Sequence, residues 1–173
     1  MPINRIVPTK RAKAALAGAT GLVALVATVL ATPWEGRELK AYRDIVGVWT
    51  ICDGETKGVR PGMTATSEQC DRMLYERLEK DFHQPLRGCI SGFDEKPLSL
   101  RASMLSLAYN VGVGAVCKST AARLAREGRY RESCEAMTAF NRAGGRVVQG
   151  LVNRRENGDA HRIGEAELCV SGL

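Results

Sequence analysis

Twenty-one consecutive residues, Ala14 to Trp34, carry no charge, and the tail before them holds four cations (Arg5, Lys10, Arg11, Lys13) and no acid. A helix of that length spans roughly 30 Å, the hydrocarbon thickness of a bilayer. A basic cluster ahead of such a run keeps the N-terminus in the cytoplasm and sends everything behind it across. The run is weakly apolar, however: 12 of its 21 residues are Ala, Gly or Thr, and seven are Leu or Val. Three readings stay open: a permanent anchor, a signal peptide cleaved after Val29-Leu30-Ala31, and a weak anchor held in the membrane for a time and then let go. All three export the remainder. A buried core helix is disfavoured by the flanking cations and the lack of a polar face.

The charge balance supports this division. The whole chain is +6, but beyond the tail 21 cations meet 19 acids, so the body is only +2. A basic nucleic-acid-binding face therefore has little support, and no nucleic acid partner is expected. The length of 173 residues suits one compact domain.

All six cysteines (Cys52, Cys70, Cys89, Cys117, Cys134 and Cys169) fall after the apolar run. An even number in an exported chain reads as up to three disulfides, with 15 pairings open. Zinc favours close ligand pairs, and successive cysteines here lie 17 to 35 positions apart. With His83 and His161 far apart as well, neither a metal site nor a cofactor is expected.

Residues 35–62 are rich in Gly and β-formers, among them Tyr42, Ile45, Val46, Val48, Trp49 and Ile51, which predicts short strands joined by turns. Thr66 or Ser67 caps a following helix, with Gln69 completing a capping box, and Pro85 stops it. A second helix starts after Pro97 and ends at the glycines beyond Asn110. Shorter helices are expected at about 119–127, 131–140 and 146–157, each stopped by glycine.

The densest polar cluster in the β-rich part is Glu35, Asp44 and Thr50. Two carboxylates separated by a turn can face one cleft, the minimum for acid-catalysed glycoside hydrolysis, in which one is protonated and the other ionised. On spacing alone, solvated turn carboxylates explain the pair as well.

The segment from Glu35 through Asp44 and Thr50 to Gly54 resembles the active-site hairpin of phage-type lysozymes, glycoside hydrolase family 24. Ala108-Tyr-Asn-Val-Gly-Val-Gly resembles that family's turn after the central helix, and the stretch from Phe140 to Glu156 its glycine- and arginine-rich C-terminal part. The resemblance covers about residues 35–157. It implies an α+β lysozyme-like fold, a small β-hairpin lobe plus a larger helical lobe, preceded by an N-terminal hydrophobic helix. The implied division is 1–34 for tail and anchor and 35–173 for the catalytic domain.

The resemblance further implies Glu35 as general acid at the bond between N-acetylmuramic acid and N-acetylglucosamine of peptidoglycan. Asp44 would stabilise the developing positive charge or orient the attacking water, and Thr50 would help position that water. Tyr109, Asn110 and Arg146 would bind substrate. Arg142, Arg146, Arg154 and Arg155 read equally as contacts for stem-peptide carboxylates and as solvated surface. Family resemblance favours inversion, for which the carboxylates stand roughly 6.5–9.5 Å apart rather than roughly 5 Å.

The N-terminus resembles the signal-anchor-release subgroup. That likeness implies inner-membrane lipid as an early partner, an inactive tethered state, later release to the periplasm, and a monomer. The run has no cysteine, so thiol control from within it is closed. Cys89 and Cys117 look additional to the subgroup's pattern and suit an extra pair. Asn157-Gly-Asp-Ala-His-Arg-Ile-Gly replaces the family's compact ending and is expected to leave the active residues unaffected. The rivals are a membrane-anchored wall-binding protein without activity, which predicts loss of Glu35 or Asp44, and a lytic transglycosylase, which needs only the acid.

Overall fold

In the computed structural model every residue is described except Met1 and Ile45, so the β-forming role read for Ile45 lies outside the described residues. The chain starts with α1 (Lys10–Ala17), capped by Thr9, whose hydroxyl accepts from the Ala12 N–H. After a break at Gly18 to Gly21 the helix resumes as α2 (Leu22–Leu25), a π-helical stretch (Val26–Ala31) and α3 (Thr32–Glu35). The β lobe is an antiparallel hairpin of β1 (Glu38–Arg43) and β2 (Trp49–Cys52), with Tyr42 opposite Thr50. Thr64 bridges the free edge of β1 at Lys40.

A long helix then links the lobes: α4 (Ser67–Arg77), a π-helical stretch (Leu78–His83) and α5 (Gln84–Cys89). Its start carries the expected capping box, with Thr66 and Gln69 each accepting the other's backbone N–H. Pro85 does not stop it, contrary to expectation. The wider π turn, in which the Gln84 N–H reaches back to the Glu79 carbonyl, lets the helix pass the proline.

The helical lobe is built around α6 (Leu98–Val111), followed by α7 (Val113–Cys117), α8 (Thr120–Arg126) and α9 (Tyr130–Ala136). A 3-10 turn (Met137–Ala139) leads into the small hairpin β3 (Arg142–Ala143) and β4 (Arg146–Val147), then α10 (Gln149–Arg155) and α11 (Glu165–Ser171). The cysteines pair as 52–70, 89–117 and 134–169, so Cys89 and Cys117 do form the extra bridge.

The lysozyme-like α+β architecture is thus present, but no helix is long and apolar enough to cross a membrane among the described residues. The uncharged run is divided at Gly18, Thr20 and Gly21, residues that extend a helix poorly. Its second half is buried instead. Leu25, Val26, Ala27, Leu30 and Ala31 share one core cluster with Leu100, Met104 and Leu107 of α6 and with Leu168 and Val170 of α11. The buried-core reading disfavoured from sequence therefore describes this state. The flanking cations do not prevent it, because Arg5, Lys10, Arg11 and Lys13 all stay exposed while Ile6 and Ala12 between them join the same core cluster.

Candidate active site

Glu35 ends the helix running through residues 22–35, and Gly36, at φ +75°, turns the chain out of it into β1. That backbone conformation suits glycine and strains other residues. The Glu35 side chain is one-quarter exposed. Its Oε1 lies 2.8 Å from Nη2 of Arg154, whose own side chain is only 6% exposed. The approach is an ion pair off the line of the N–H bond: Nε and Nη2 of Arg154 make no hydrogen bond among the described residues.

Behind Arg154 lies an ion network on which the sequence was silent. Glu165 is fully buried; Arg155 donates Nη1 to its Oε2 at 2.6 Å, Ser106 donates its hydroxyl to Oε1 at 2.7 Å, and Arg154 Nε stands 3.6 Å away. Arg155, also fully buried, donates to the side-chain carbonyl of Asn110 and to the backbone of Phe140. Arg154 and Arg155 are therefore not solvated surface. Buried guanidinium and carboxylate groups persist when paired, and here two arginines share Glu165.

Asp44 and Thr50 are joined through Val48. Asp44 Oδ1 accepts the N–H groups of Val46 and Val48, at 3.0 and 2.8 Å, which orders the hairpin turn. The Val48 carbonyl accepts both the Asp44 N–H and the Thr50 hydroxyl. Asp44 is half-buried and Thr50 buried, so the turn holds a carboxylate and a hydroxyl in one fixed relation.

Tyr109 donates its hydroxyl to the Asp53 carbonyl at 2.5 Å and stacks edge-on against Phe82. Burial pushes its hydroxyl above the ordinary tyrosine range. Arg77 works against that shift, whereas the charges of Glu35, Asp53 and Glu55 add to it. Tyr109 is consequently a neutral donor in the electrostatic field of Glu35. Asp53 is buried and receives a forked contact from Arg37, another pair the sequence did not announce. Arg146 lies on the exposed hairpin β3–β4, opposite Ala143.

The C-terminal replacement segment packs against Trp34, the neighbour of Glu35. Trp34, beside Glu35, donates its indole N–H to the Ile163 carbonyl at 2.9 Å, and the Arg162 guanidinium lies 3.9 Å from its ring centre. With Glu165 at its end, this segment braces the helix end that presents Glu35.

Comparison with known proteins places the chain in a family. Residues 32–158 match the model of the family described as phage lysozyme, and the chain belongs to that family. It is a glycoside hydrolase of the lysozyme type, with endolysin relatives. It is 42% identical over 148 residues to the SAR-endolysin of Pseudomonas phage phiKMV, an alignment covering 82% of this chain and 84% of that protein. It is 32% identical over 173 residues to the SAR-endolysin of Enterobacteria phage P21, covering 95% and 98%. Among solved structures, the active form of the P1 phage endolysin Lyz superposes with a TM-score of 0.75 at 20% identity, covering 98% of each chain, a likeness of fold.

Proposed function

We propose that this endolysin cleaves the β-1,4 bond between N-acetylmuramic acid and N-acetylglucosamine of peptidoglycan, acting as a monomer. The observation that carries the reading is the placement of Glu35 at a helix end against the buried Arg154, with the Asp44–Val48–Thr50 turn on the following hairpin. Glu35 gives its proton to the glycosidic oxygen as the bond to the sugar's anomeric carbon breaks. Asp44 stabilises the positive charge that develops there or orients the water that forms the new bond, and the Thr50 hydroxyl helps place that water. Tyr109, Asn110 and Arg146 contact substrate. The preference for hydrolysis over transglycosylation rests on Asp44 and Thr50 accompanying the acid.

Before this state, residues 1–34 form a basic tail and a transmembrane anchor, with 35–173 as the attached catalytic domain in the periplasm. In lipid the break at Gly18 to Gly21 closes, because an unpaired backbone group costs far more there than glycine's poor helix propensity. Glu35 is then held at the membrane interface, and the enzyme is inactive. Release and burial against α6 create the active state, as a shift between two populations. The SAR-endolysin relatives support this history.

The test has two readouts. Glu35→Gln should lower wall degradation about 10²- to 10⁴-fold, and wild-type products should carry reducing ends; anhydro ends would mark a transglycosylase. Cell fractionation before and after depolarisation, with N-terminal mass, should show the full-length chain leaving the membrane as activity appears. A mature chain beginning at Thr32 would leave a secreted enzyme and no anchor cycle.

A further inference from the structure

Three carboxylates of the C-terminal segment are buried, and two of them look away from the active site. Glu165 serves the arginine network. Glu156 and Glu167 instead take all but one of their hydrogen bonds from the first eleven residues of the chain. Glu156 Oε1 accepts the Ile3 N–H at 2.5 Å, and its Oε2 accepts the Asn4 N–H at 3.0 Å and the Asn4 amide at 2.7 Å. Glu167 accepts the Thr9 hydroxyl at 2.6 Å and a two-pronged contact from Arg11, at 2.7 and 2.8 Å. Its remaining bond comes from the Gly164 N–H at the start of its own helix.

Between these two points the tail runs along the replacement segment. Asn157 exchanges bonds with the backbones of Arg5 and Val7, and Arg11 also donates to the carbonyls of Asn157 and Asp159. Ile6 is buried, and its carbonyl is held by Arg131.

We propose that this face of the C-terminal segment is a docking site for the chain's own tail, residues 3–11, and that its occupation is the catch that makes release from the membrane one-way. This rests on the membrane-anchored reading above. While the run spans a bilayer, the tail lies on its far side, and Glu156 and Glu167 lose these partners. Buried carboxylates without partners are unstable, so the segment loosens, and with it Glu165 and the Trp34 brace. Docking of the tail restores both carboxylates. It tightens the segment that supports Glu35 and opposes reinsertion, because Arg11 would have to leave Glu167 to recross the lipid. Arg11 is the specific element: its guanidinium matches a carboxylate with two parallel bonds, which the neighbouring ammonium of Lys10 does not do.

The experiment compares Arg11→Glu with Lys10→Glu in the full-length chain. Both change the tail charge equally on the cytoplasmic side, but Lys10 is exposed and makes no ion pair among the described residues. Hydrogen exchange at residues 165–171 of the purified soluble chain is expected to quicken about tenfold or more in Arg11→Glu and to stay at the wild-type rate in Lys10→Glu. After depolarisation, Arg11→Glu should leave a several-fold larger fraction of chain in the membrane than Lys10→Glu. Equal exchange in the two variants overturns the docking site, as does a soluble active wild type lacking residues 1–31. Unequal exchange with equal membrane retention overturns the catch. A wild-type chain that is full-length yet never found in membranes sinks the anchored reading and the catch together, and exchange then still decides whether the tail docks.

Discussion

Arg154 meets Glu35 on one side and Glu165 on the other, 2.8 Å from the first and 3.6 Å from the second, while almost wholly buried. The proposed acid is therefore held by a residue on α10 that is itself held by a residue on α11. The hairpin lobe contributes Asp44 and Thr50, and the last twenty residues contribute the brace. Separating these contributions is a matter of single substitutions.

Glu35→Gln keeps the side chain's shape but cannot deliver the proton. Loss of a general acid lowers the rate about 10²- to 10⁴-fold. Clearing of purified cell wall should fall by that factor while the thermal midpoint moves little. Full activity in a folded variant would remove Glu35 from the mechanism.

Glu165→Ala leaves Arg154 and Arg155 buried beside each other without their shared counter-ion. Breaking a buried ion pair from one side costs about 3–5 kcal/mol. Denaturant unfolding should show that loss. Combination with Arg155→Met should recover part of it, a non-additivity expected for partners in one network.

Removing the 89–117 bridge by replacing both cysteines with serine releases a loop of 28-residue separation between α5 and α7. Loop-closure entropy puts the cost at about 3–4 kcal/mol. Neither cysteine is among the proposed catalytic or substrate-binding residues, so activity below the new melting transition should match wild type.

Asp159 is held down to about 2 by its bond from Arg162 and by the backbone N–H groups of His161 and Arg162. Its carboxylate is thus more acidic folded than unfolded. Its contribution is complete above the unfolded value near 3.8 and is lost as pH falls from there through about 2. A carboxyl NMR titration should place its midpoint near the lower value, and Arg162→Ala should return it toward the upper one.

Gly164 sits where the backbones of residues 156, 158 and 164 converge, and a side chain there would overlap the Glu156 carbonyl and the Gly158 N–H. Gly164→Ala should destabilise the fold by about 1–3 kcal/mol. It should also lower activity, because the same turn carries Ile163, the partner of Trp34. A melting point within error of wild type would mean the turn relaxes freely.

Much of the protein was legible in local sequence. The Thr66–Gln69 capping box, the β-forming run before Cys52, the glycine stops after α6 and α8, and the Glu35-Asp44-Thr50 spacing depend on neighbours a few positions away, where backbone preference and short hydrogen bonds decide the outcome. The proposed residue roles come from the family resemblance. What lay beyond it depended on partners about 150 positions apart or on burial. Arg154 and Arg155 read equally as substrate contacts and as solvated surface until Glu165, Ser106 and Asn110 closed around them. The replacement segment at 157–164 had no visible use until Trp34 and Arg11 met it. The uncharged run is the clearest case. Its composition decides that it is only weakly apolar, and the same small residues that make it a poor membrane span let it lie against α6. Which environment it occupies is settled by tertiary contacts, because the free energy of burying Leu25 and Leu30 in a core differs little from that of leaving them in lipid, and the carboxylates that receive the tail exist as a site only once the chain has folded.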